Sequence, residues 1–374
     1  MSLPFMVLPS GMPQIADAFF LLAGGYLLVA GRIRWPEKLN NFVTFLALFA
    51  GYIIVITTLQ SIYWTDTPML INVLFYGFNG TCALLLLALL YRTGSHGKKL
   101  LRISLTATCV LQCLLALTIA PVNARSTLFF DNPNQLGYFG LLVATLFLLL
   151  EEDRDSANWM SILMMACSGF LVALSISRAG FAGFGVLFLV RFYKQPWIIA
   201  LCVIAGAGFA VSTGLADKII LLTEARSKLE SDDSLGGRGY DRIFNNPEYL
   251  FFGAAEGGYY RFSSDISSHG LLTGKATTIE QGGKELHSTF GTLAFCYGIP
   301  GIVLFTCMVG FAVGWKFNRQ FWLLVPIFVF GFTHQGIRET LFWVVLATAA
   351  YSYWMPNAPP EKKALSVDEA PALA

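Results

Sequence analysis

The sequence predicts an all-α, polytopic integral membrane protein with about 11–12 transmembrane helices and one large external loop. Three observations lead there. Hydrophobic residues make up 55 % of the 374 positions, charged residues only 13 %, and the mean hydropathy is +0.61. The apolar residues also fall in runs of about 15–25, the length that crosses hydrocarbon. A soluble fold needs more polar surface than this chain supplies, so the excess apolar surface faces lipid. The 32 Phe and 35 Gly residues suit packed membrane helices, in which small residues let backbones approach and aromatic rings fill the gaps.

Taken in order, the membrane segments are 15–31, 42–60, 69–90, 101–120, 136–150, 158–176, 179–192, 197–215, 289–315, 320–334 and 340–355. Four of them are short for a full crossing and are expected to be tilted, broken or re-entrant. The N-terminus lacks a basic region and a cleavage site, so it is expected to enter the first helix rather than act as a signal peptide, with Pro4, Pro9 and Pro13 keeping it irregular. The chain thus divides into N-terminal transmembrane helices (1–215), a large loop (216–288), C-terminal transmembrane helices (289–355) and a polar tail (356–374) predicted to be disordered.

Basic residues orient the chain. With the N-terminus outside, fourteen of them, from Arg32 to Lys363, fall in cytoplasmic segments, against Arg125, Arg178 and Arg338 in short external connections. The bias puts the tail in the cytoplasm and the loop outside, which in a bacterium is the periplasm or the cell exterior. That loop, about 72 residues long, is the one extramembrane piece large enough to shape a site. Its start, 217–233, has the pattern of an amphipathic surface helix. Gly236, Gly237 and Gly239 then interrupt any helix, a short helix is expected over 240–246 before Pro247, and the polar, glycine-rich 263–283 follows.

Four features carry candidate chemistry. Arg178, in SISRAG, lies at the membrane boundary and either snorkels there or faces a cavity and binds an anionic group such as a lipid phosphate, for which its planar fork is suited. Arg238 and Arg242 stand four apart, either clamping a diphosphate from one helix face or sitting solvated beside Asp241. His287 precedes an apolar run, where a neutral imidazole accepts a proton from a hydroxyl; Ser288 beside it is a credible helix N-cap, and Glu285 either orients the histidine or is solvated. His334 and Arg338 point inward together if the tenth helix continues through them, an assumption that Gly336 weakens.

The absences narrow the chemistry. The sequence has no P-loop and no HExxH pattern, its four histidines are dispersed, and its seven cysteines fall inside apolar runs, so neither a metal site nor a disulfide framework is expected. Carboxylate pairs of the metal-dependent glycosyltransferase kind are not evident in the first external loops. An enzyme outside the cytoplasm has no ATP to use, so its substrate must arrive activated, and a lipid-linked diphosphate is the natural form.

With these residues in view, the chain resembles the O-antigen ligase and polymerase superfamily. The resemblance rests on SRAG at 177–180, GGRGYDRIFNNPEYLFFGAAEG at 236–257, ELHSTFGTLAFCYGIPGIVLF at 285–305 and NPNQLGYF at 132–139, in an order that covers most of the chain. It implies that Arg178 and Arg238 engage the donor diphosphate and that His287 is the base or a close partner of the acceptor hydroxyl. Arg242, Glu256 and Arg261, in and beside the glycine-rich stretch 253–258, join His334 and Arg338 as substrate-binding candidates. The reaction so implied is metal-independent, needs no cofactor, and transfers a glycan from undecaprenyl diphosphate with inversion. Membrane lipid, a chain-length regulator and a flippase are the expected partners, with no nucleic acid, at the bacterial inner membrane. A polymerase of exopolysaccharide or O-antigen repeat units is favoured over a ligase acting on lipid A-core or protein, because GRGYDRIFNNPEY looks closer to capsule and exopolysaccharide members. An anion transporter is the reading from another class.

Overall fold

The computed structural model describes residues 35–119, 126–130, 132–151, 159–212, 240–257, 261 and 286–356, with isolated positions at 22, 24, 26, 214, 217, 220 and 221. The first predicted segment, the amphipathic stretch 217–233, Arg238, the polar region 263–283, Glu285 and the tail beyond Pro356 lie largely or wholly outside them. Every regular element among the described residues is helical: α1 Asn40–Trp64, α2 Ile71–Ile119, α3 Pro133–Leu150, α4 Trp159–Ser175, α5 Arg178–Phe192, α6 Pro196–Ser212, α7 Asp241–Asn245, α8 Tyr249–Phe252, α9 Thr289–Val313, α10 Arg319–Gly331 and α11 Thr340–Trp354, with short 3-10 turns at Glu37–Leu39 and Thr67–Leu70.

Among the described residues four helical stretches, Glu37–Trp64, Thr67–Thr118, Pro133–Leu150 and Thr289–Val313, are long and apolar enough to cross a membrane. This is the build of a polytopic membrane protein. Polar caps start several of the helices. Asn132, Ser177, Ser288 and Asn318 accept, through side-chain oxygens, from the backbone N–H groups of Gln135, Gly180, Gly291 and Phe321. Each satisfies a donor that the first helical turn would otherwise leave bare.

Among the described residues two helices are broken, one inside a predicted connection and one inside a predicted membrane segment. Residues 91–100 were expected to form a connection, yet they are helical, and α2 runs for 49 residues with one non-helical position, Gly94 (φ 56°, ψ −131°). A straight helix of that length would reach about 73 Å, more than twice the roughly 30 Å of hydrocarbon, so the break at Gly94 divides it into two rods. Both sides of the break meet the end of α11: Tyr351 Oη donates to Leu90 O at 2.9 Å, and Lys98 Nζ donates to Pro356 O at 3.3 Å. The second break is in α9, at Gly298 (φ 61°, ψ −165°), two residues before Pro300.

Helix α3 is the hub, with every residue from Leu136 to Leu150 buried. It packs on α4, α5, α10 and α11, while α1 packs on α9 and α2 on α11. Trp343, fully buried, joins α1, α2 and α11 by stacking near Phe49 (5.9 Å) and meeting Tyr76 edge-on (5.9 Å). Its indole N–H donates to Ile337 O at 2.7 Å, so the buried donor is satisfied.

A Cβ at Gly253 (φ +89°) would lie 2.2 Å from Cys296 O, whereas one at Gly185 in α5 meets nothing within 4 Å. Gly253→Ala is therefore expected to lower the thermal midpoint of the detergent-purified protein by several degrees, and Gly185→Ala to leave it within error; fluorescence-detected size exclusion after a heating series measures both.

Candidate functional site

The break in α9 builds the site. Pro300 has no N–H to give to Cys296 O, and the turn at Gly298 removes Ile299 N from Phe295 O. Two carbonyls are thus left inside the bundle, where an unmet acceptor is costly. They are met by another part of the chain. Ala254 N donates to Phe295 O at 2.9 Å and Ala255 N to Cys296 O at 2.8 Å, so the segment 249–257 lies in the break as a strap. Gly253 and Gly257 (φ +88°), with Ala255 (φ +59°), give the strap its left-handed turns. Helix α1 holds its near edge: Tyr52 Oη donates to Phe252 O at 2.6 Å and Gln60 Nε2 to Gly253 O at 3.2 Å.

The strap carries Glu256 into the bundle, where it is 0 % exposed. One carboxylate oxygen accepts from Tyr76 Oη (2.6 Å) and Gln335 Nε2 (3.2 Å), and the other from Arg338 Nε (2.5 Å). Asn72 Nδ2 donates to the backbone oxygen of Glu256 at 3.1 Å. Arg338 is fixed in turn, because Asn79 Nδ2 donates to its carbonyl at 2.8 Å and Thr340 Oγ1 donates to Asn79 Oδ1 at 2.7 Å. Three contacts to the carboxylate and one to the backbone oxygen therefore hold Glu256 between the strap, α2 and the chain leading into α11.

A second knot sits beside it. Ser288 Oγ, besides capping α9, lies 2.5 Å from Tyr240 Oη and donates to Gly331 O at 3.1 Å, and Tyr240 Oη donates to Phe332 O at 2.9 Å. Thr289 donates twice to His334 O, from N at 3.1 Å and from Oγ1 at 3.2 Å, and accepts from Gly336 N at 2.9 Å. The imidazole of His334 lies on Phe330 (4.7 Å), which stacks on Tyr138 of α3 at 4.4 Å. The two knots share the segment 332–339.

The expected site residues divide accordingly. Glu256 and Arg338 are joined directly, and His287, exposed and next to Ser288, is brought to the same junction as His334. Arg242 is 7 % exposed on α7, the short helix the sequence predicted before Pro247. Arg261 donates to Ala254 O at 3.0 Å and lies 5.2 Å over the Trp64 ring. Arg178 is exposed in the first turn of α5, which packs against α10. The predicted pairing of Arg238 with Arg242 falls outside the described residues. One expectation is corrected: α10 ends at Gly331, so His334 and Arg338 do not share a helix face. Their backbones are instead held in a turn, where Thr289 and Asn79 take up the carbonyls that a helix would have used.

Asn72, Tyr76 and Asn79 were missed, although the signal was present. They recur at i, i+4 and i+7, which is one face, on the first rod of α2, whose residues up to Leu90 are otherwise almost wholly apolar. Among the described residues no group of three or more His, Cys, Asp or Glu is set to hold a metal ion. A scan against known protein families finds no match, and neither does a search of curated proteins.

Arg338→Ala leaves the Glu256 charge buried without its cation and is expected to cost about 3–5 kcal/mol, while Tyr76→Phe, which removes one hydrogen bond to a charged group, costs about 1.5–3 kcal/mol. The double variant Glu256→Gln/Arg338→Gln is expected to be more stable than Arg338→Ala alone; thermal unfolding of the three proteins in one detergent checks the order.

Proposed function

We propose that the protein is a glycan polymerase of the bacterial inner membrane, transferring an undecaprenyl-diphosphate-linked oligosaccharide to a hydroxyl of another lipid-linked repeat unit during surface polysaccharide synthesis. The reading includes eleven or twelve crossings, a periplasmic loop over 216–288 and a cytoplasmic C-terminus. The resemblance at 177–180, 236–257 and 285–305 supports it. So does one structural observation. An apolar groove of about 460 Å³ lies along α9 and α10, lined by Phe290, Phe305, Val309 and Phe328 among others, and it begins three residues beyond His287. An isoprenoid chain fits such a wall, and its diphosphate would then sit at the end of the bundle that holds the strap.

In this mechanism Arg178 and Arg238, helped by Arg242, hold the diphosphate and stabilise the charge that grows on it as the bond to the anomeric carbon breaks. His287 takes the proton of the acceptor hydroxyl, whose oxygen attacks the anomeric carbon from the opposite face. Undecaprenyl diphosphate leaves with the bonding electrons. Glu256 and Arg338 fix the strap at the junction that His287 adjoins, and Arg261 and His334 border it. No metal or cofactor takes part in this scheme.

A ligase delivering the glycan to lipid A-core or protein would use the same groups. It is separated by the product: loss of a polymerase leaves single repeat units on the acceptor, and loss of a ligase leaves long polymer on the carrier lipid. The broken helix α9 is the one observation that favours an anion carrier, since interrupted membrane helices are common at transport sites. Product formation by purified protein without a gradient decides for the enzyme.

Arg178→Ala, Arg238→Ala and His287→Ala are each expected to reduce polymer formation from a lipid-linked substrate by about 10²- to 10³-fold at unchanged protein level. Unchanged yield and chain length in all three would remove the proposal.

A further inference from the structure

The end of the bundle opposite the strap holds a cavity that the proposed transfer does not use. It has a volume of about 550 Å³, within the range of about 300–1,000 Å³ typical of ligand pockets, and lies at the Gly94 break. Ser95, His96, Lys98, Lys99 and Arg102 line one side, all from the start of the second rod of α2. Leu150, Trp159 and Met160 line the other.

Cations that serve only to orient a chain reach outward to the headgroups. Two of these turn inward instead. Lys98 is 6 % exposed, with its ammonium 5.5 Å over the Tyr351 ring. Arg102 lies with its guanidinium 4.8 Å over the Phe147 ring, and its Nε is buried without a hydrogen-bond acceptor. Glu151, the residue after the lining Leu150, is engaged elsewhere, by Arg191 at 3.1 Å, by Arg319 at 3.6 Å and by the hydroxyl of Ser161. The N-terminus of a long helical rod adds its partial positive charge at the same point.

We propose that this cavity is a binding site for a phosphate-bearing anion, and that its occupant is the headgroup of an anionic phospholipid. Lys99 and Arg102 bind the phosphate, with Lys98 behind them adding positive potential. The phosphate chemistry is shared with soluble anions; the apolar wall separates the two sources. Trp159 is 69 % exposed at the rim, as a side chain at the lipid interface is, and with Leu150 and Met160 it offers the glycerol and first methylenes of a lipid a dry surface.

The test uses the full-length, delipidated protein. Native mass spectrometry follows binding of phosphatidylglycerol and phosphatidylcholine, and thermal unfolding in detergent follows stabilisation by inorganic phosphate. Wild type is expected to prefer phosphatidylglycerol, and Lys99→Gln/Arg102→Gln to bind it at least about tenfold more weakly, while Arg102→Lys keeps most of the affinity. Lys98 is left intact because it also holds Pro356. Arg92→Gln removes a charge from the same end without touching the cavity and is expected to change nothing. A double variant that matches wild type in both assays overturns the site, as does an equal loss in Arg92→Gln. A charge-dependent effect with inorganic phosphate but none with lipid keeps the anion site and overturns the lipid occupant.

Discussion

Two hydrogen bonds, from Ala254 N to Phe295 O and from Ala255 N to Cys296 O, decide how one end of this bundle is organised. A helix interrupted by Gly298 and Pro300 exposes carbonyls where neither water nor lipid can satisfy them. The strap is the partner that makes the interruption tolerable, and the interruption is the socket that gives the strap a defined place. Neither is stable in this arrangement alone. Because the strap enters the bundle, Glu256 is carried to Tyr76, Gln335 and Arg338, and the chain from Phe332 to Thr340 must wrap around it.

Buried charge pins both ends of the molecule. Glu256 is held by Arg338 at the strap end and Glu151 by Arg191 and Arg319 at the other. Such pairs add little net stability, since desolvation offsets most of the attraction, yet a partner lost or displaced leaves a charge in a dry interior. The consequence is registry. Helices α3, α5 and α10 can slide against one another through apolar contacts at small cost, but Glu151 meets both arginines in one alignment only.

Several local features were legible in the residues. Ser288 as a cap and the short helix before Pro247 depend on side chains within a few positions of one another, so sequence spacing specifies them. The break at Gly94 falls in the connection expected over 91–100, although its tightness, one non-helical position between two rods, was not legible. The break at Gly298 was not legible, because it lies inside a run read as one membrane segment. Glycines elsewhere in helices, such as Gly51 and Gly185, leave the helix intact, with open space where a side chain would be. What distinguishes Gly298 is Leu250 O at 2.7 Å and Gly253 N at 2.9 Å from where its Cβ would be, and those atoms lie some 45 residues away in the chain.

The sequence by itself determined that this protein is helical and membrane-spanning, because burial of apolar runs and internal pairing of backbone groups leave few other solutions in lipid. It also placed the candidate residues Arg178, Arg242, Glu256, His287 and Arg338 at ends of helices or in the loop between them. Only the tertiary structure decided which of these meet. Glu256 and Arg338 stand 82 positions apart and touch, and His287 and His334 share a junction through Thr289. Those meetings depend on where a broken helix left two carbonyls open and on which segment reached them, a matter of contacts between distant parts of the chain that no local pattern of residues encodes.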